Sequence, residues 1–571
     1  MFLILLWQVI LHALLVSAIA PTRTTTKRNN NGAPSKFVTT QDGQFMFNGS
    51  VLQFVGTNAY WLAALNSDED IDFTLGNMSA KGIKVVRTWA FNDVESVPVN
   101  GTWFQLIANG TTTINTGPNG LQKLDTVVRL AEKHGLFIHL SLTNNWDPRP
   151  FLNKTTAISA RDVTPGTNNT LPRNSLSNDY GGMDEYVREF GDHMMHDEFY
   201  TNPKILSEFM NYTNQIVSRY ADNPTIFGWE IANDPRCNSS IPATSSCNTT
   251  TITNFHAVLA QHISSIDPNH LVSSGNQGFF CADCPKLFPR VIPSPPQTSP
   301  VANRRRANAL KPLTKRNIIQ ERKAALMKTR KARKSNEREA GAIRIRGRWF
   351  SSATRRQAES PDDVGVGPAF DGSQGVDSED ILNIPEIGFG SFQLFPDQNT
   401  YGVDDPDLPA FNNTLNQGLD WIAKHAASGE LFGKPVTLNG FGLVTQLNAP
   451  FFVPFNESVP RFVPDSGSGT TQPFGVTDDQ RDDAYAQWLN AGLTSGLQGM
   501  FQYQERWSHA NLTTAVGTAI DPTVSGTGVS PIVNGTGLSP NDGYAISGQG
   551  LDPVESTIQQ ASQQFGLDNP T

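Results

Sequence analysis

The chain has 571 residues, 38% of them hydrophobic, and a formal net charge of -9. That supplies a sizeable core, and the acidic balance argues against a nucleic-acid binder. The charge is uneven: Val301–Gln357 holds 19 Lys and Arg against 3 Asp and Glu, a local excess of +16 that leaves the remaining chain at -25.

Residues Met1 to Ala20 are almost wholly apolar and end in Ala18-Ile19-Ala20. This small-x-small ending reads as a signal peptide over 1–20, with a signal anchor as the alternative. No second apolar run of that length follows, so no membrane span is expected in the mature chain. Residues 21–36 form a basic N-terminal segment with a dibasic Lys27-Arg28. The expected location is secreted and extracellular. Thirteen Asn-x-Ser/Thr sequons fit a glycosylated surface: Asn48, Asn77, Asn100, Asn109, Asn153, Asn168, Asn211, Asn238, Asn248, Asn412, Asn456, Asn511 and Asn534.

Short apolar runs then alternate with amphipathic ones. Strands are expected at Leu52–Gly56, Ile83–Thr88, Leu136–Leu142, Ile226–Ile231, Leu271–Ser274, Ile387–Leu394, Pro435–Leu438 and Gly499–Tyr503. Helical spacing is clearest over Asp70–Lys81, Leu121–His134, Pro203–Tyr220 and Thr253–Ile266. Eight strands separated by helices predict an α/β fold, a (β/α)8 TIM barrel, with functional groups at the C-terminal strand ends. Its first part spans 37–292 and its second part, with a C-terminal tail, 378–571. Two long loop insertions interrupt it. Pro148–Asn178 is polar and overhangs the barrel mouth. The low-complexity segment 293–377 is strongly basic at its centre, reads as a disordered or loosely helical loop outside the core, and contains a short helix over Ile318–Met327. Its basic part, 301–357, is a candidate contact for a polyanion. Lys315-Arg316 is a second candidate processing point. The four cysteines fall into local pairs, Cys237 with Cys247 and Cys281 with Cys284. In an oxidising compartment both read as disulfides, because Cys281-x-x-Cys284 lacks the other two ligands of a zinc site. No metal or cofactor is expected.

The strand ends carry recognisable groups: Phe54-Val-Gly-Thr-Asn-Ala-Tyr-Trp61, Val86-Arg-Thr-Trp-Ala-Phe-Asn-Asp93, Asn144-Asn-Trp-Asp147, Asn178-Asp-Tyr-Gly-Gly-Met-Asp184 and Trp229-Glu-Ile-Ala-Asn-Asp-Pro-Arg-Cys237. Over about Phe37 to Ile546, the basic insertion aside, the sequence resembles the endo-β-1,4-mannanases of glycoside hydrolase family 5. The resemblance implies a mannan-type polysaccharide or oligosaccharide as partner. It also implies a retaining mechanism with two carboxyl groups ~5–5.5 Å apart. The family's acid/base is the Glu of an Asn-Glu-Pro triplet, and here that triplet is Asn233-Asp234-Pro235. Its nucleophile is a Glu before an aromatic-Gly pair after the seventh strand. Here Lys434-Pro-Val-Thr-Leu-Asn-Gly-Phe-Gly442 puts Gly440 at that position, preceded by Asn439. The His-x-Tyr of the sixth strand, whose Tyr supports the nucleophile, is Gln393-Leu-Phe395. The Trp that floors the sugar site falls at Phe501 in Met500-Phe-Gln-Tyr503. The substrate-binding positions implied are Asn58, Trp61, Arg87, Trp89, Asn145, Trp146, Asn233, Gln393 and Phe501.

Other readings stand beside these. The tryptophans could be barrel packing, and Asp93 and Asp147 loop caps. Glu230, at the strand parity of Asp234, is a candidate ion-pair partner for Arg87. His139 reads as core, and Asp397 and Glu505 as exposed-loop positions. Three functions remain open: a secreted mannan-directed glycosidase with impaired or altered hydrolysis, a non-catalytic carbohydrate-binding protein, or a surface or wall-associated protein adhering through its basic loop.

Overall fold

The computed structural model describes residues 35–65, 67–98, 101–148, 174, 176–290, 313–339, 343–345, 348–350, 365–449, 452, 475–503, 542–544 and 553–567. The chain divides into two units, Met1–Ser35 and Lys36–Thr571, and the fold is that of the second. The expected signal peptide, Lys27-Arg28, the sequons at Asn100, Asn153, Asn168, Asn456, Asn511 and Asn534, most of the first insertion, and Glu505 lie outside the described residues.

All eight expected strands form. They are β1 (Phe54–Asn58), β2 (Val85–Trp89), β3 (Phe137–Ser141), β4 (Ile226–Glu230), β5 (Leu271–Ser273), β6 (Gly390–Leu394), β7 (Val436–Phe441) and β8 (Gly499–Tyr503). Their order in the sheet is β5-β4-β3-β2-β1-β8-β7-β6, every neighbouring pair parallel. A parallel bridge between Ser273 and Phe389 joins the two edges. Helices α1 (Asp68–Ala80), α2 (Leu121–Lys133), α3 (Pro203–Tyr220), α4 (Thr249–Ile266), α5 (Ser378–Leu382), α6 (Ala410–Phe432), α7 (Asp478–Ser495) and α8 (Pro553–Leu567) follow the strands in turn. Their ends are built locally. Asn202 caps α3 ahead of a proline in its first turn, and a reciprocal Thr477–Gln480 pair opens α7. Gly433 closes α6 at φ 64°, a left-handed turn that suits glycine. Among the described residues no helix is long and apolar enough to cross a membrane.

The barrel interior is layered. At the bottom, Phe54, Val85, Phe227, Phe389 and Phe501 pack with Val38 and Phe45 of a small N-terminal sheet (Thr39–Gln41, Gln44–Phe47 and Ser50–Val51). Gly56 makes room for this layer, since a Cβ there would lie 2.6 Å from the Phe501 ring. Above the phenylalanines comes a charged layer, and above that an aromatic and amide-rich mouth. Apolar residues on the outer faces of the strands pack under the helices in a second, larger core.

The basic insertion departs from expectation. Part of it is a helix, Lys315–Glu339, longer than the expected Ile318–Met327. It is also not outside the core. Ile318 is buried in the main hydrophobic cluster, with Leu313 and Ile319 packed beside it. Lys315 pairs with Asp283 at 3.2 Å and Lys328 with Asp405 at 2.8 Å. An apolar stripe within the basic run anchors the helix to the barrel rim, which net charge alone conceals.

Candidate active site

The charged layer centres on Glu230, fully buried at the end of β4. Arg87 of β2 grips both of its oxygens, with Nε 2.9 Å from Oε2. Asn439 Nδ2 donates to the same Oε2 at 2.7 Å, and His139 Nε2 lies 3.4 Å from it. Burial alone would raise this carboxyl. The Arg87 charge and the hydrogen bonds from His139 and Arg87 outweigh it and hold the pKa at about 2. Glu230 is therefore an ion-pair anchor, the partner expected for Arg87. Arg87 also donates to Asn58 Oδ1 at 2.7 Å and Asn233 Oδ1 at 2.8 Å, and its guanidinium stacks 5.0 Å from the Trp89 ring. One cation thus orients residues from four strand ends.

Asp234 sits above this layer with φ 54°, in the left-handed region that Asp tolerates better than most residues. The turn folds its carboxylate back onto the chain. Arg236 donates to both oxygens, at 2.9 and 2.7 Å, and Trp146 Nε1 donates to Oδ2 at 2.8 Å. Burial pushes the carboxyl above its ordinary value, against the Arg236 charge and these hydrogen bonds. The group keeps a protonatable carboxyl at the cavity but is tied on three sides.

Gly440 lies in β7, paired in register with Gln393 of β6. A Cβ built on it would stand 3.1 Å from Phe395 Cζ and 3.3 Å from Cε2. The phenyl ring occupies the room a side chain at 440 would enter. Phe395 in turn meets Tyr503 and Tyr544 edge-on, with centroids 5.1 and 5.3 Å apart. The remaining cavity has a volume of about 40 Å³ and is bordered by Arg87, Trp89, Trp146, Asp234, Gly440 and Tyr503 among others. A site that encloses a small organic ligand needs ~300–1,000 Å³. The space suits water, and a pyranose requires the aromatic wall to open.

Of the sequence-derived binding positions, Arg87, Trp89, Trp146, Asn233 and Gln393 line this cavity. Gln393 Nε2 donates to Asn233 Oδ1 at 3.1 Å and its Oε1 accepts from Gln277 at 2.9 Å. Asn58 lies just beneath, donating to the Asn439 carbonyl at 2.9 Å. Asn145 is buried to one side and accepts from Tyr200 and the Arg236 N–H. Trp61 is buried in the main core. Phe501 lies in the bottom layer, and Tyr503, two residues on and at the same strand parity, reaches the cavity instead. Asp147 pairs with Arg188. Asp397, expected in an exposed loop, is buried, because its carboxylate turns inward to accept from the Val444 N–H. The cysteines form Cys237–Cys247 and Cys281–Cys284 disulfides.

Two lining residues were not read from the sequence. Asp542 and Tyr544 come from the chain beyond β8, where no strand or helix period marks them. The one available signal was the Asn-Asp-Gly turn triplet at 541–543, which says nothing about where the turn lands.

Residues 35–295 match the family described as GH family 5 beta-mannosidase-like. The match ends before the basic insertion and before β6 to β8. Mannan endo-1,4-beta-mannosidase F of Aspergillus fumigatus is 40% identical over 261 residues, 45% of this chain and 50% of that protein. Mannan endo-1,4-beta-mannosidase A of Aspergillus aculeatus is 37% identical over 252 residues, 44% of this chain and 56% of that one. The chain thus spans about half the length of these curated relatives. In fold it resembles the endo-1,4-beta-mannanase of Rhizomucor miehei (TM-score 0.56, 23% identity, 93% of this chain and 99% of that one). It also resembles the hyperthermostable endo-1,4-beta-D-mannanase of Thermotoga petrophila (TM-score 0.51, 21% identity, 90% and 99%).

Proposed function

We propose, from a barrel whose residues 35–295 belong to the beta-mannosidase-like branch of glycoside hydrolase family 5, that this chain is a secreted protein directed at β-1,4-mannan-type polysaccharide with impaired hydrolysis. One observation carries the reading. The place of the second carboxylate holds Gly440, and the Phe395 ring fills the room beside it. Double displacement needs a nucleophile to form the glycosyl-enzyme and an acid to protonate the leaving oxygen. Asp234 supplies a carboxyl for the second task, tied to Arg236. Nothing at position 440 supplies the first.

The sugar-directed half of the reading rests on the mouth. Trp89, Trp146 and Tyr503 present aromatic faces beside the amides of Asn233 and Gln393, a combination suited to stacking on a pyranose and bonding its hydroxyls. The names of the relatives support mannan as the polymer. Secretion is supported by the apolar Met1–Ala20, by two disulfides, and by the sequon asparagines. Asn48, Asn109, Asn211, Asn238, Asn248 and Asn412 are all exposed. On the basic helix, Arg316, Lys323, Arg330 and Lys331 are exposed, which supports the accessory contact with a polyanion.

The test measures binding and hydrolysis on the same full-length preparation. Mannohexaose should bind by calorimetry, while galactomannan should yield no reducing ends above background. Turnover near that of an intact family enzyme overturns the impairment, and absence of mannohexaose binding overturns the substrate class.

A further inference from the structure

Position 440 has no carboxylate, yet the cavity beside it has two. Asp234 borders it from the loop after β4, and Asp542 from the chain beyond β8. Asp542 is held in place. The Tyr503 hydroxyl donates to its Oδ2 at 3.0 Å, and the Tyr544 N–H lies 3.4 Å from Oδ1. A continuous row of contacts connects it to the vacant position: Asp542 to Tyr503, Tyr503 edge-on to Phe395, and Phe395 over Gly440. The family pattern pairs a tyrosine hydroxyl on the sixth strand with a carboxylate on the seventh. Here β6 has Phe395 and β7 has Gly440, and a tyrosine–carboxylate pair stands one strand further on.

We propose that Asp542, oriented by Tyr503, is the general base of this cleft and activates a water for attack on the anomeric carbon; this rests on the mannan-directed reading above. Two features favour a water over direct attack by the carboxylate. Asp542 reaches the cavity from beyond the Phe395–Tyr503 ring pair, set back from the strand position that a nucleophile occupies. The open volume of about 40 Å³ matches a few waters, at roughly 10–15 Å³ of such volume each. A carboxylate set back far enough to hold a water is the arrangement of an inverting glycosidase.

The step balances without any other reactant. The water oxygen forms the bond to C1 while Asp542 takes the water proton. The bond from C1 to the glycosidic oxygen breaks, and its electron pair stays on that oxygen. In an ordinary mannoside the oxygen then takes a proton from Asp234. A dinitrophenolate leaves without one, so an activated substrate bypasses the constrained acid and reports on the base alone. Burial holds the Asp542 carboxyl up at about 6, against hydrogen bonds from Tyr503 and the Tyr544 N–H, so it accepts a proton readily near neutral pH.

The experiment uses the full-length protein and a dinitrophenyl β-mannobioside, with mannohexaose binding measured in parallel. The wild type should release dinitrophenolate, and proton NMR should show the α-anomer of mannobiose first. Asp542→Asn should lose about 100-fold or more of that rate, with mannohexaose affinity and thermal midpoint unchanged. Azide should restore turnover of that variant, as an anion of its size can replace the water. Tyr503→Phe should lose less than Asp542→Asn. An unchanged rate in Asp542→Asn overturns the proposal, as does a β-anomer formed first. A wild type that binds mannohexaose but releases no dinitrophenolate also overturns it, and leaves the mannan-directed reading standing. A wild type that binds no mannohexaose removes both.

Discussion

Replacing Asp397 by Asn isolates a buried carboxyl that bears on stability rather than on sugar. The side chain is enclosed between β6 and the loop after β7. Its Oδ2 accepts from the Val444 N–H at 3.0 Å, while Oδ1 has no hydrogen-bond partner among the described residues. Burial pushes its pKa from 3.8 to about 7, with the Val444 bond opposing. The folded protein therefore holds a proton that the unfolded chain releases near pH 4. This stabilisation is complete below about pH 4 and is lost as the pH rises through 7. A shift of about three pH units at ~1.36 kcal/mol each sets an upper bound of about 4 kcal/mol. Asparagine keeps an oxygen for Val444, fills the same volume and cannot ionise. In urea unfolding, Asp397→Asn should gain stability relative to the wild type by up to about 2–3 kcal/mol between pH 5 and pH 8. A difference between the two proteins that stays flat over that range would refute the reasoning, whatever its absolute size.

Two further outcomes follow from the packing. Gly440→Glu combined with Asp234→Glu should leave mannohexaose hydrolysis low, because the new side chain meets the Phe395 ring. Adding Phe395→Ala should raise the rate of that double variant by about 100-fold or more, read as reducing ends, since a misplacement of ~1 Å costs that much. No gain from the third change would mean that the mouth has lost more than its nucleophile. Ile318→Ala should lower stability by about 1–2 kcal/mol, below the usual cost of a central Ile because the site lies at the edge of the core. An unchanged thermal midpoint would return the basic helix to the status of a detached loop.

The barrel was legible because its signal is repetitive. Eight apolar runs at barrel spacing were each found within a few residues of the observed strand. The errors have one cause. β1 was placed at Leu52–Gly56 and ends at Asn58, and β7 was placed at Pro435–Leu438 and ends at Phe441. In both, the upper residues point into a polar barrel mouth, so Thr57, Asn58, Thr437 and Asn439 look like loop although they are strand. The Arg87–Glu230 pair could be read from side-chain parity along β4, since strand geometry fixes which residues share a face. Trp61, Asn58 and Asn145 lie near strand ends but face away from the open space, a difference that sequence order does not encode. Asp542 was out of reach for a different reason. It arrives through a long excursion after β8, and only the folded chain brings that excursion beside Gly440. Asp397 was misplaced because an aspartate in a loop is usually solvated, and here a backbone N–H draws it in.

The basic insertion parts the backbone between β5 and β6, where the barrel's two edges meet through the Ser273–Phe389 bridge. Both disulfides lie on its N-terminal side. Lys315 and Arg316 are exposed at the start of its helix. A single nick there would convert the protein into a two-chain molecule with no covalent link between the halves. One fragment would carry β1 to β5 and the acid, the other β6 to β8 and Asp542. Their association would rest on the parallel ladder between β8 and β1 and on the aromatic floor they share. Such a molecule would migrate as one species in native buffer and as two on a denaturing gel without reductant, and dilution would become a variable of its folding.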